Sequence, residues 1–60
     1  IMCKNAYEKL STKTEEIMIF CKLKEYEQNE LLKLCISQRY CNKSKKYIPA
    51  DQKKYCKNYE

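Results

Sequence analysis

The chain has 60 residues and a formal net charge of +5. We predict one domain, residues 1–60, whose core buries too little apolar surface to be stable without a cross-link, a metal or a partner. It has no histidine to act as a general base and no glycine for a phosphate-binding loop, so we predict that it is not an enzyme and holds no cofactor. Its longest apolar run, residues 17–21, has five residues, against the roughly 20 that cross a membrane.

The composition favours helices over strands. Hairpin turns usually need residues that tolerate positive φ, and the chain has no glycine and one proline, Pro49. Lysine, glutamate, leucine and glutamine are abundant instead, and these residues lose little side-chain freedom in a helix. We therefore predict an all-α fold: a small disulfide-stapled bundle of three helices, with two antiparallel helices and a short C-terminal helix.

The first predicted helix follows a stripe of side chains spaced alternately four and three residues apart. The stripe comprises Cys3, Tyr7, Leu10, Thr14, Ile17 and Cys21. This spacing places side chains on one face of a helix, which would then face the core. Thr12 and Glu15 match a capping box, so we expect a kink or a restart of this helix near Ser11.

The second predicted helix carries an apolar cluster that begins after the stripe turns polar at Lys24 and Gln28. The cluster comprises Leu31, Leu32, Leu34, Cys35 and Ile36. Asn29 is available as its N-cap, so we predict a turn near Gln28. The alternative is one uninterrupted helix through EYEQNELLKL, because those residues all favour or tolerate a helix.

The stretch NKSKKYIP after Cys41 is polar and basic, and it is the clearest predicted loop. Pro49 suits the opening of the next helix, and Asp51 would lie near the positive end of its dipole. The final segment places four residues on one side of this short third helix: Gln52, Tyr55, Cys56 and Tyr59. The loop also holds an N-x-S acceptor at Asn42, where an attached glycan would cover part of the basic loop.

Five cysteines in 60 residues are typical of small secreted scaffolds. We therefore predict a secreted, extracellular protein. Since Ile1 cannot be an initiator, the chain is expected to be a mature product or an excised piece.

The predicted helices suggest two disulfides. Cys21 and Cys35 lie seven residues either side of Gln28, so two antiparallel helices that turn there would bring them level. The next turn sets Cys41 opposite Cys56 in the same way. Each bridge would close a loop of about 15 residues and stabilise the fold by around 3 kcal/mol. Fifteen pairing patterns exist for five cysteines, so the connectivity stays open.

Cys3 is left over by this pairing and lies near a chain end, where an exposed thiol can reach another chain. We therefore predict an intermolecular disulfide and a homodimer through Cys3. The alternatives are a buried thiol that packs as a small hydrophobe, and a partner cysteine in a missing part of a longer precursor. A zinc site is disfavoured, because there is no C-x-x-C and no histidine.

The charges are unevenly distributed along the chain. Residues 1–32 hold five basic and six acidic residues, whereas residues 33–60 hold eight basic and two acidic residues, with four of the six tyrosines. Tyrosine supplies rigid contact area and lysine steers an acidic partner. We predict a binding face for an acidic surface, with these contact residues: Tyr40, Tyr47, Lys45, Lys46, Lys53 and Lys54.

The expected partner is a protein receptor or channel, or an anionic membrane surface. One alternative is a membrane-perturbing peptide whose cationic helices lie on the bilayer, and another is a structural or regulatory fragment of a larger secreted protein. Nucleic acid is disfavoured, because a secreted protein seldom meets it and arginine occurs once. For each single lysine, solubility is the simplest explanation.

A compact, helical, cysteine-stapled and cationic chain resembles invertebrate secreted peptides of the venom-toxin or host-directed effector type. Tyrosine adjoins cysteine in CISQRYC, residues 35–41, and again at Tyr55 and Cys56. This is similar to the cysteine-tyrosine-cysteine pattern of the bicycle proteins, effectors of gall-forming aphids. The resemblance implies a secreted effector, and it carries over no function for individual residues.

Overall fold

A computed structural model of the chain describes residues 2–60, and over this range the fold is mainly β. Strands β1 (Ala6–Leu10) and β2 (Ile17–Cys21) pair antiparallel to form the first hairpin. Strands β3 (Gln38–Cys41) and β4 (Lys46–Pro49) pair antiparallel to form the second hairpin. Each hairpin is a two-stranded sheet, and β4 packs against β2.

The helical content is small. Two 3-10 turns, Lys22–Lys24 and Glu30–Lys33, connect the hairpins, and one helix, α1 (Gln52–Tyr55), follows β4. The predicted all-α bundle of three helices is therefore wrong, as is the alternative of one long helix through EYEQNELLKL. One detail of the prediction holds: Asn29 caps a helical turn through its Oδ1, which accepts from the Leu31 N–H at 2.9 Å. A short helix does form near the C-terminus, but it covers only Gln52–Tyr55, so Cys56 and Tyr59 lie outside it, and Pro49 ends β4 instead of opening the helix. No helix within residues 2–60 is long and apolar enough to cross a membrane.

Strand β2 is the centre of the core. Its residues Met18, Ile19 and Phe20 are consecutive and all buried. Successive side chains of a strand point to opposite faces, so an unbroken apolar run fits a strand that is covered on both sides. The predicted helical stripe is wrong because it runs through strands β1 and β2, and two of its members, Leu10 and Ile17, are 60% and 40% exposed instead of facing the core.

Both hairpins turn without glycine. Their loops, residues 11–16 and 42–45, are longer than the two-residue type, and in each of them one residue adopts positive φ: Glu15 at 61° and Lys45 at 55°. A left-handed conformation at such a residue costs about 1–3 kcal/mol, and local hydrogen bonds offset it. The Ser11 Oγ accepts from the Lys13 and Thr14 N–H groups, both at 3.3 Å. The missing glycine therefore did not exclude hairpins.

The side chain of Gln38 joins the two hairpins. Its Oε1 accepts from the Ile19 N–H at 2.9 Å, and its Nε2 donates to the Ile19 carbonyl at 2.9 Å and to the Cys35 carbonyl at 2.6 Å. The primary amide of glutamine thus adds to the hydrogen bonds at this edge of β2, where Phe20 forms an isolated antiparallel bridge with Leu34 and the Cys35 N–H donates to the Ile19 carbonyl at 2.8 Å. This contact fixes the second hairpin, which starts at Gln38, against the buried strand.

The two ends of the chain also meet. The Lys4 N–H donates to the Glu60 carbonyl at 2.7 Å. Gln52 of α1 is 3% exposed, and its Oε1 accepts from the Cys3 N–H at 2.7 Å while its Nε2 donates to the Cys35 Sγ at 3.0 Å. The short C-terminal helix is therefore anchored to both the N-terminal segment and the segment before β3.

Candidate functional site

All five cysteines are free thiols, so the two predicted disulfides, Cys21–Cys35 and Cys41–Cys56, are wrong. The pairing assumed that antiparallel helices would set these residues level with one another, and those helices do not form. Cys41 instead lies in β3, where its register partner is Lys46 of β4. The fold is held by burial and hydrogen bonds in place of the predicted cross-links.

Cys3 is buried, with 8% of its surface exposed. Its Sγ accepts from the Asn5 N–H at 3.5 Å and from the Glu60 N–H at 3.4 Å. The exposed thiol on which the predicted homodimer depended is therefore absent. The burial agrees with the alternative in which Cys3 packs as a small hydrophobe.

The second hairpin brings Tyr40 and Tyr47 together. They are register partners in β3 and β4, and their rings meet edge to face with centroids 5.3 Å apart. Aromatic pairs in this geometry contribute about 0.5–1.5 kcal/mol beyond their buried area. Tyr40 remains 40% exposed, so one side of a rigid aromatic pair is open to a partner.

The loop of the same hairpin is cationic. Lys43 and Lys45 are exposed there, and neither forms an ion pair within residues 2–60. Lys46 differs, because its Nζ lies 2.8 Å from the Glu8 Oε2 of β1. No acidic residue occurs in residues 38–49. We call the surface formed by Tyr40, Tyr47, Lys43 and Lys45 the cationic hairpin face.

Two of the six predicted contact residues lie elsewhere. Lys53 and Lys54 are exposed on α1, and the Lys54 Nζ lies 5.2 Å from the centroid of the Tyr55 ring. Arg39 and Lys43 were not among the predicted contacts, although they lie in the hairpin itself. The adjacent basic and aromatic residues in QRYC and KKYI are the signal that could have placed Arg39 on a strand paired with a second strand. Lys43 lies in the loop between them.

Cys41 lies beside this cationic loop. Its Sγ is 3.6 Å from the Ser44 Oγ, and Arg39 lies two residues earlier on the same strand, hence on the same side. Hydrogen bonding by the Ser44 side chain lowers the pKa of the Cys41 thiol, with smaller contributions from backbone N–H groups and from the positive charge of Arg39. Asn42, the predicted glycosylation site, is exposed in the same turn, and its modification stays a prediction.

Away from the second hairpin lies an open cavity of about 370 Å³ that three cysteines line. They are Cys21 at the end of β2, Cys35 before β3 and Cys56 after α1. Within residues 2–60, no group of three histidine, cysteine, aspartate or glutamate side chains is arranged to hold a metal ion. These three cysteines thus contribute to the wall of a cavity that no residue of the cationic hairpin face lines.

Comparisons with protein-family models, with curated proteins and with solved structures find no match to the chain. The resemblance to secreted toxin peptides and to bicycle proteins stays a prediction, as does the extracellular location.

Proposed function

We propose that the protein is a cationic binding protein that attaches to an acidic protein surface, such as that of a receptor or channel, through the cationic hairpin face. The observation that supports this most is the combination, on one hairpin, of an open edge-to-face tyrosine pair with loop lysines that have no acidic partner. The lysines would act on association with the partner, and the tyrosines would act in the bound complex.

The lysines serve the encounter with the partner. Lys43 and Lys45 are exposed and uncompensated, so their field extends about 8 Å into a solution of physiological salt. A concentrated positive patch speeds association with an acidic surface and disfavours basic partners. Lys46 contributes less, because Glu8 already neutralises it.

The tyrosines serve the bound state. Tyrosine loses little conformational entropy on binding and offers both an apolar ring and a hydroxyl, which explains its enrichment at binding hot spots. Tyr40 and Tyr47 are already held against one another across the strands. A partner would therefore meet a contact surface that needs little reordering.

The membrane-perturbing alternative has less support. It required cationic helices with apolar faces to lie on a bilayer, whereas α1 has four residues and the cationic residues of the hairpin lie in strands and a turn. A toxin or effector role would be one use of the proposed face, and it stays a prediction.

The test measures binding of poly-L-glutamate, an acidic polypeptide, by fluorescence anisotropy at low and at physiological salt. The variant Lys43→Gln/Lys45→Asn removes the loop charges, and asparagine tolerates the positive φ at position 45. The matched control, Lys13→Gln/Lys22→Gln, removes the same charge from exposed sites in the N-terminal half. We expect the hairpin variant to bind about tenfold more weakly and the control to change affinity less than about twofold.

Equal weakening by both variants would mean that net charge alone drives binding, which would contradict the proposal. A second variant, Tyr40→Ser, separates the aromatic contribution and is compared with Tyr26→Ser, since Tyr26 is 78% exposed outside the hairpin. Dye release from phosphatidylserine vesicles, without binding of poly-L-glutamate, would favour the membrane alternative instead.

A further inference from the structure

We propose that the three-cysteine cavity binds a small amphipathic anion, namely an aliphatic carboxylate with its chain in the cavity and its head at the rim. Its volume of about 370 Å³ falls within the range of small-molecule sites, about 300–1,000 Å³. No residue of the cationic hairpin face lines it, so this inference is independent of the proposed binding function.

Large apolar side chains converge on this cavity although they are exposed. Leu23, Tyr26, Ile36 and Tyr55 all line it, and their exposed fractions are 48%, 78%, 64% and 61%. Single exposed hydrophobic residues are common on a surface, whereas a group around one concavity is typical of a binding site. Cys21, Cys35 and Cys56 also line the cavity, and cysteine behaves as a small hydrophobic residue. The chain of an aliphatic ligand fits this lining.

The positive charges at the cavity favour a ligand with an anionic head group. Lys24 and Lys57 line the cavity, and no aspartate or glutamate does. Lys24 is half-buried, and its Nζ donates to the Leu34 carbonyl at 3.1 Å. Lys57 is exposed and forms no ion pair within the part of the chain that the structure describes. A carboxylate at the rim would complement both lysines, whereas a cationic ligand would be repelled.

Cys21 and Cys56 allow a direct test, because both line the cavity and are half-buried, so a bound ligand shields them from alkylation. The reduced protein is titrated with decanoate below its micellar concentration, and N-ethylmaleimide labelling of each cysteine is followed by peptide mass spectrometry. At a decanoate concentration tenfold above the dissociation constant, we expect labelling of Cys21 and Cys56 to slow about tenfold. Cys41 lies in the second hairpin, away from the cavity, and is the internal control whose labelling should not change.

The head group is tested with decanol, which has the same chain without the charge. We expect decanoate to protect Cys21 and Cys56 at about fivefold lower concentration than decanol, and the variant Lys57→Gln to remove most of this preference. Lys53→Gln is the matched control, since Lys53 is exposed on α1 and does not line the cavity. The variant Lys43→Gln/Lys45→Asn should retain full protection, which separates this site from the hairpin.

Three outcomes would overturn the inference. They are equal protection of Cys41, protection that appears with micelles only, and equal potency of decanol and decanoate. Analytical ultracentrifugation of the ligand-free protein adds a fourth, because a dimer in which Cys21 and Cys56 are already shielded would make a second copy the occupant of the cavity.

Discussion

The two hairpins share an antiparallel topology and differ in nearly everything else. In the first hairpin, β2 has three consecutive buried residues, and it lies in the half of the chain with five basic and six acidic residues. In the second hairpin, no strand residue is fully buried, and no acidic residue occurs. One hairpin forms the core, and the other presents charge and aromatic rings on the surface of that core.

This difference separates stability from recognition. Substitutions in β2 act on the free energy of unfolding, because they remove buried apolar contacts. Under the proposed function, substitutions in the loop of the second hairpin should act on binding and not on stability, because the side chains of residues 42–45 are exposed.

The largest expected effect compares one isoleucine from each hairpin. Ile19 is fully buried in β2, and Ile48 is half-buried in β4. We expect Ile19→Ala to lower the free energy of unfolding by about 2–5 kcal/mol, and Ile48→Ala to lower it by about 1 kcal/mol, because less apolar surface is lost. Urea titration followed by circular dichroism measures the free energy of unfolding of both variants.

If Ile19→Ala does not fold, Ile19→Val and Ile48→Val give the same comparison on a smaller scale. Equal costs at the two positions would contradict the assignment of β2 as the core.

Part of this fold was visible in the sequence. The run IMIFC is rich in residues that favour strands and has the length of a strand, yet the helical spacing that runs through Cys3, Leu10 and Ile17 competes with it. The capping of a helical turn by Asn29 was predictable because it depends on neighbouring residues alone. The positive φ of Glu15 and Lys45 was not, since long-range packing and local hydrogen bonds have to offset its cost.

The next largest effect breaks the link between the hairpins. Gln38→Ala removes the amide that bonds both the N–H and the carbonyl of Ile19, so a buried N–H loses its partner at a cost of about 1–3 kcal/mol. Gln28→Ala is the matched control, because Gln28 is exposed and a substitution there should change stability by less than about 0.5 kcal/mol. Urea midpoints provide the comparison. If Gln38→Ala were as mild as the control, the hairpins would be joined by apolar packing instead.

The candidate sites were only partly predictable for the same reason. The surplus of charge after residue 33 pointed to the cationic half of the chain, but the grouping of Tyr40 with Tyr47 depends on strand register. Cys21, Cys35 and Cys56 come from three separate segments, and only the tertiary fold brings them to one cavity. The spacing of cysteines along the sequence suggests which of them could pair on helices, but it does not show that three of them line the same cavity.

A smaller effect is the pH dependence of stability that comes from the loop of the first hairpin. The loop of the first is braced by Glu30, whose carboxylate accepts from the Ser11 Oγ at 2.7 Å and from the Thr12 N–H at 2.9 Å. The hydrogen bond from Ser11, followed by those from Thr12, lowers the pKa of Glu30 below its ordinary value of 4.5. The folded state therefore favours the carboxylate, and its stabilisation is complete above pH 4.5 and is lost as the pH falls through the lower folded pKa.

Urea midpoints measured across this acid range test the contribution of Glu30. We expect Glu30→Gln to flatten the fall of stability below pH 4.5. Glu25→Gln, at an exposed site outside the loop, should keep the shape of the curve. An unchanged curve in Glu30→Gln would mean that other carboxylates set the acid sensitivity of the fold.

The smallest expected effect is a change in the pH dependence of Cys41 alkylation, which reports on the electrostatics of the second hairpin and not on stability. The Ser44 hydroxyl can donate to the Cys41 thiolate across their 3.6 Å separation, and it is the largest cause of the lowered pKa of this thiol. Since the thiolate is the reactive form, Cys41 should react with iodoacetamide at a lower pH than an ordinary thiol, whose pKa is 9.0.

In Ser44→Ala, the pH profile of Cys41 labelling should shift upward, and in Arg39→Gln it should shift upward by less, because the arginine is the weaker cause of the lowered pKa. Lys22→Gln removes a charge outside this hairpin and should leave the profile in place. A profile that moves equally in all three variants would mean that the net charge of the protein, rather than this hairpin, stabilises the thiolate, and the contrast between the two hairpins would then be one of burial alone.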